Sequence, residues 1–153
     1  MNQAQFSKSR LRMDETEKQN LFTTFKGVIE GIIEDKRKNP KNLKDLDSFK
    51  GRINLGLQIE EDYIFWVNLI AENGKYELGR NKLEEYDLEI VAAPEDMMYF
   101  SNGEYSTLHM IFKKNRFGNR KLKYYKGSSG KRNLGLLLKL PKILVLDKLK
   151  IPR

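Results

Sequence analysis

The hydrophobic positions of this chain change their period part-way along. Between residues 14 and 38 they recur at three- and four-residue spacing: Leu21, Phe22, Phe25, Val28, Ile29, Ile32 and Ile33 form one apolar stripe. That spacing predicts an amphipathic helix. Asp14, Glu15 and Glu17 suit its N-terminal end and Lys36, Arg37 and Lys38 the other, and Asn39-Pro40 stops it. Residues 41–50 are polar apart from Leu43, Leu46 and Phe49, and read as a linker with a short turn of helix.

After Gly51 the period shortens to two. Ile53, Leu55, Leu57 and Ile59 alternate with mostly polar residues, and Tyr63, Phe65, Val67 and Leu69 do so again beyond Glu60-Glu61-Asp62. Two strands joined by an acidic hairpin follow from this. Ile64 and Trp66 fall on the opposite face of the second strand, so that face is expected to be covered too. Glu72-Asn73-Gly74 signals a turn into a third strand at residues 75–79, and residues 86–92 read as a fourth.

Ala93-Pro94-Glu95-Asp96 has the chemistry of a helix start, with proline tolerated in the first turn and acids favoured there. That helix would carry Met97, Met98 and Phe100 and stop near Gly103. A second short helix is expected over residues 105–114, with Leu108, Ile111 and Phe112 inward, and a fifth strand over 120–126. The leucine-rich NLGLLLKLPKILVL (133–146) reads as a closing helix ending at Pro141, with an irregular or extended tail beyond. The expected class is α+β with a largely antiparallel sheet. Residues 1–13 are expected to be a flexible segment ahead of one domain, 14–153, which ends in a basic tail at 147–153.

Charge alters this picture more than composition does. The 153 residues carry a net charge of +8, but residues 51–104 hold 4 basic and 12 acidic side chains, whereas 105–153 hold 14 and 1. So uneven a chain suits an anionic partner, or attraction between its own thirds. There is no cysteine, which excludes disulfides, thiolate metal ligands and thiol nucleophiles. The first residues lack the apolar core of a signal peptide, so the cytoplasm is the expected location.

Catalytic chemistry is not evident. The one histidine, His109, sits in TLHMIF without a patterned set of acids, and reads as structural or surface-exposed. The clusters Glu60-Glu61-Asp62 and Glu84-Glu85 with Asp87 flank turns and read as solvated faces. KGSSGKR (126–132) could offer backbone amides beside Lys131 and Arg132 to an anion such as a lipid headgroup, but it is not a nucleotide-binding P-loop. In KKNRFGNRKLKYYKG, Lys113, Lys114, Arg116 and Arg120 interleave with Phe117, Tyr124 and Tyr125, which keeps single-stranded nucleic acid as an alternative partner of residues 113–132. The leucine-rich segment is too short to span a bilayer and is interrupted by Lys139 and Lys142. Its leucines surround most of a helix, which fits either a core element or a lid over an apolar site.

From about Asp47 to Leu146 the chain resembles the sterol carrier protein 2 domain family. The resemblance is carried by INLGLQIEEDYIFWVNLI, ENGKYELG, YDLEIVAAPEDMMYFSNG, FGNRKLKYYKG and NLGLLLKL, with Leu122 and Tyr124 at apolar strand positions and Gly127 closing the strand. It departs from the family between Gly103 and Arg120, where the Asn-Pro helix is missing, and at the C-terminus, which is not Ser-Lys-Leu. The resemblance implies a five-stranded sheet with helices packed on one side, enclosing an apolar tunnel. It implies non-catalytic binding, and transfer, of a fatty acid, acyl or isoprenoid lipid, or a sterol, without a cofactor or metal.

The lining expected for such a tunnel is Trp66, Met97, Met98, Phe100, Met110 and Phe112, with Leu134, Leu137 and Leu138 from the closing helix. Lys113, Lys114, Arg116, Arg120, Lys131 and Arg132 are the candidates for transient contact with an anionic membrane surface. A further alternative is an accessory domain that presents an apolar intermediate to a partner enzyme.

Overall fold

The computed structural model describes residues 13–147. The expectations for the N-terminal segment and for the basic tail beyond Asp147 lie outside the described residues. Helix α1 spans Glu15–Arg37, and the Asp14 side chain caps it by accepting the Glu17 backbone N–H at 2.8 Å. A 3₁₀ turn at Pro40–Asn42 leads into α2, Leu43–Ser48. The expected linker is therefore ordered, because Leu46 and Phe49 are buried in the core.

The sheet contains β1 (Gly51–Glu60), β2 (Tyr63–Glu72), β3 (Lys75–Arg80), β4 (Leu88–Ala92) and β5 (Leu122–Lys126). They lie in the order β3-β2-β1-β4-β5. All neighbours are antiparallel except β1 and β4, which pair in parallel from Ile53↔Leu88 to Leu57↔Ala92. The β2–β3 turn places Asn73 and Gly74 at φ 54° and 77°, as a tight two-residue hairpin requires. A side chain at Gly74 would also meet the Asp47 carboxylate.

Period-two alternation sends Ile53, Leu55, Leu57, Phe65, Val67, Leu69, Leu88 and Ile90 to one face, where they join the helices in a single core. That core takes Ile29 and Ile33 from α1 and Leu46 from α2. Helix α3 (Pro94–Ser101) adds Met97 and Phe100, and α4 (Thr107–Phe112) adds Met110. The middle of the opposite face is covered by the β3–β4 loop: Asn54 exchanges hydrogen bonds with Leu83, and Lys82 pairs with Glu89 at 2.9 Å.

Two expectations are corrected. In α4 it is Met110 that points inward, while Leu108 and Phe112 are exposed. Of the three positions expected inward, Ile111 does pack against the core, partly buried, and Ser106 caps the helix by accepting the His109 N–H. The leucine-rich segment also does not become irregular after Pro141. It forms α5 (Leu134–Lys139) and then α6 (Pro141–Leu144), because proline at the first helical position starts a new turn as readily as it ends the old one.

Candidate functional site

The stripe on α1 is wider than one packing contact needs. Ile29 and Ile33 enter the core, while Leu21, Phe25, Val28 and Ile32 form a second row one step around the helix. This row faces α3, where Met97 and Met98 stand opposite, and Leu57 closes the floor from the sheet. Between them runs an apolar groove of about 580 Å³. It is open to solvent along Val28 and Met98, which are 52% and 62% exposed. Its few polar neighbours are Thr24, Glu95, Ser101 and Asn102.

An ion pair stands near each end. At the start of α3, Glu95 receives Arg116 Nε at 2.7 Å, and Arg116 Nη2 also donates to the Ile59 carbonyl. Beyond the other end, the Lys36 ammonium is buried and donates to the Val145 carbonyl at 2.7 Å and to Asp147 Oδ1 at 3.0 Å. Asn39 and Asn42 donate to the other Asp147 oxygen. The hydrogen bond from Lys36 does most to hold the Asp147 carboxyl below its ordinary range; partial burial opposes this, and Asn42 and Asn39 reinforce it.

Of the lining expected from sequence, Met97 and Met98 are in this groove. Phe100, Met110 and Leu137 are buried in the core. Trp66 is on the opposite sheet face, beside Gly56, with Lys82 4.5 Å above its ring. Phe112 is exposed and lines a separate shallow depression with Ile111, Arg120, Leu122, Lys123, Tyr124 and Tyr125. Leu134 and Leu138 face outward, while Leu137, Leu140, Ile143 and Leu144 are buried. The leucine-rich segment is thus mostly core, and only its last residue, Leu146, reaches the groove. The α1 wall was missed by sequence reasoning. The signal for it was the breadth of the stripe, since positions 21, 25, 28 and 32 repeat beside 22, 29 and 33.

The cations are dispersed. Arg116 is taken up by Glu95 and lies 4.2 Å over the Phe117 ring, and Arg120 donates to the Phe112 carbonyl. Lys113, Lys114, Lys131 and Arg132 are exposed. Lys121, outside that set, is bound to buried Asp96 at 3.0 Å. His109 stacks on Tyr105, with centroids 4.3 Å apart. Among the described residues no group of three or more His, Asp or Glu side chains is placed to hold a metal ion. No described helix is long and apolar enough to cross a membrane.

No protein-family model matches the sequence, and no curated protein matches it either. Solved structures do match. The sterol carrier protein domain 2 of Helicoverpa armigera aligns with a TM-score of 0.55 at 19% identity, over 80% of this chain and 86% of that one. The chain has a sterol carrier protein 2-like fold. A UbiJ-SCP2 ubiquinone synthesis protein aligns at 0.57 with 8% identity, over 83% and 95% of the two chains. Sterol carrier protein 2 from Yarrowia lipolytica, in its apo form, aligns at 0.51 with 13% identity, over 88% and 97%. At these identities the likeness is one of fold: the sterol carrier protein 2-like sheet backed by helices, expected from the sequence motifs, is present.

Proposed function

We propose that the α1–α3 groove binds the hydrocarbon part of a lipid (a fatty acid, acyl or isoprenoid chain) without covalent chemistry, and that the protein carries such a ligand and does not convert it. The observation that carries this reading is the groove itself. Its volume of about 580 Å³ lies within the roughly 300–1,000 Å³ usual for small-molecule sites. The walls are aliphatic, aromatic and thioether groups, which give affinity without directional demands. Each methylene moved from water into such a site gains about 0.8 kcal/mol, so a long chain binds usefully with little polar recognition. The fold likeness to sterol carrier protein 2 domains supports the same reading.

Native mass spectrometry of the purified protein, followed by organic extraction, is expected to reveal a bound lipid, and a fluorescent fatty acid is expected to be taken up. Finding no lipid together with no uptake would sink the proposal. The likeness to a ubiquinone synthesis protein's domain favours a second use of the same groove, presenting an apolar intermediate to an enzyme. Recovery of a biosynthetic enzyme in a pulldown would favour that use, and recovery of none would count against it.

A further inference from the structure

The two ends of the groove differ in how they are closed. Glu95, at the start of α3, stands at one end, where its pair with Arg116 leaves both side chains substantially open to water. Ser101 and Asn102 stand at the other, about 9 Å along the α3 axis. There the chain crosses as a strap, Val145 to Asp147. The Leu146 N–H donates to the Ser101 carbonyl at 2.8 Å, and the Leu146 side chain lines the groove. On either side of Leu146, the Val145 carbonyl and the Asp147 carboxylate both hold Lys36 Nζ. Lys36 is one turn beyond the groove residue Ile32 on α1. The strap therefore ties the C-terminal ends of α1 and α3 together with Leu146 between them.

Lys36 is 4% exposed, so its ammonium depends on the strap for its partners. Displacing the strap would leave a buried charge short of hydrogen bonds, which is strongly unfavourable. We infer that Leu146 is the tail stop of the groove: a single-chain amphiphile lies with its methyl end against Leu146 and its polar head toward the Glu95–Arg116 end. This inference rests on the reading of the groove as an apolar-ligand site. A chain that outgrows the groove either lifts the strap or leaves its extra methylenes in water. Each methylene left out forgoes a gain of about fourfold in affinity.

The test is a series of saturated fatty acids of increasing length, each displacing a fluorescent fatty acid from the full chain. The expected affinity rises about fourfold per methylene and then levels off at a limiting length. Leu146→Ala should move that limit to longer chains and Leu146→Trp to shorter ones. Because Leu146 is partly exposed, neither change threatens the core. Leu108→Ala, on an exposed face outside the groove, should leave the limit where it is. Tight binding with the same limit in all four proteins overturns the tail stop and leaves the lipid-binding reading standing. Binding of no fatty acid at any length fails that reading, and the tail stop with it.

Discussion

Helix α1 and the segment α5–α6 are both rich in large aliphatic residues, yet they have opposite fates. The C-terminal segment is the greasier of the two, and its Leu137, Leu140, Ile143 and Leu144 are almost wholly removed from water. In α1 the apolar residues form two rows: one is spent on the core, and the other is left along an open groove. Hydrophobicity alone therefore does not mark a binding site. What marks it is apolar surface beyond what packing uses.

The sharpest way to break this contrast is to truncate one side of it. Leu144→Ala is expected to lower stability by about 2–5 kcal/mol, since the side chain is fully buried and leaves a cavity. Urea denaturation measures this, and a loss under 1 kcal/mol would mean that α6 is peripheral. A smaller effect is expected from Asp147→Asn, about 1–3 kcal/mol at pH 7, because a charge-assisted hydrogen bond to buried Lys36 is lost. The folded-state value of Asp147 is depressed. Its contribution is thus present above the ordinary carboxylate value of 3.8 and is lost as pH falls through the lower folded-state value. The stability gap between the wild type and Asp147→Asn should close in strong acid. A gap that stays constant to pH 2 would deny the ion pair its role.

On the groove side, Met98→Glu should leave the unfolding midpoint almost unchanged, since Met98 is largely exposed. It should weaken fatty-acid uptake about tenfold, or about 1.4 kcal/mol. Equal loss of stability and affinity would merge the two regions again. An effect confined to alkaline pH lies away from both. Burial, more than Asp47, pushes the Tyr76 phenol up to about 12, against the attraction of Arg37. Stability linked to the neutral phenol is complete below pH 10 and falls as pH rises toward 12. Tyr76→Phe should remove that slope from alkaline unfolding curves.

Strand positions were readable because alternation is a strict signal: it assigned Ile53, Leu55 and Leu57 to the core face and Trp66 to the other. That same parity argued against Trp66 beside a site on the helix-covered face. The parallel β1–β4 pairing was not legible, because local pattern carries no information on which distant strand lies alongside. Helix α4 defeated phase assignment because six residues make too few turns to define an inward side, so Leu108 and Phe112 were placed inward when Met110 is. In the leucine-rich segment, leucines around the circumference suggested two covered faces. In so short a helix, Leu134 and Leu138 simply remain in solvent. Met97 and Met98 were legible as candidate lining, whereas the α1 wall was concealed by an apolar stripe that ordinary core packing explained equally well.

The pair between Lys36 and Asp147 joins residues 111 positions apart. A local element such as the β2–β3 hairpin closes a short stretch of chain, while this contact closes nearly the whole described length and carries the larger loop-closure cost. The groove end it seals therefore depends on two segments far apart in sequence that the folded chain brings together. If the groove takes up a lipid as proposed above, mass action ties capture to completion of the fold: binding draws the population toward the molecule in which Lys36 and Asp147 are joined.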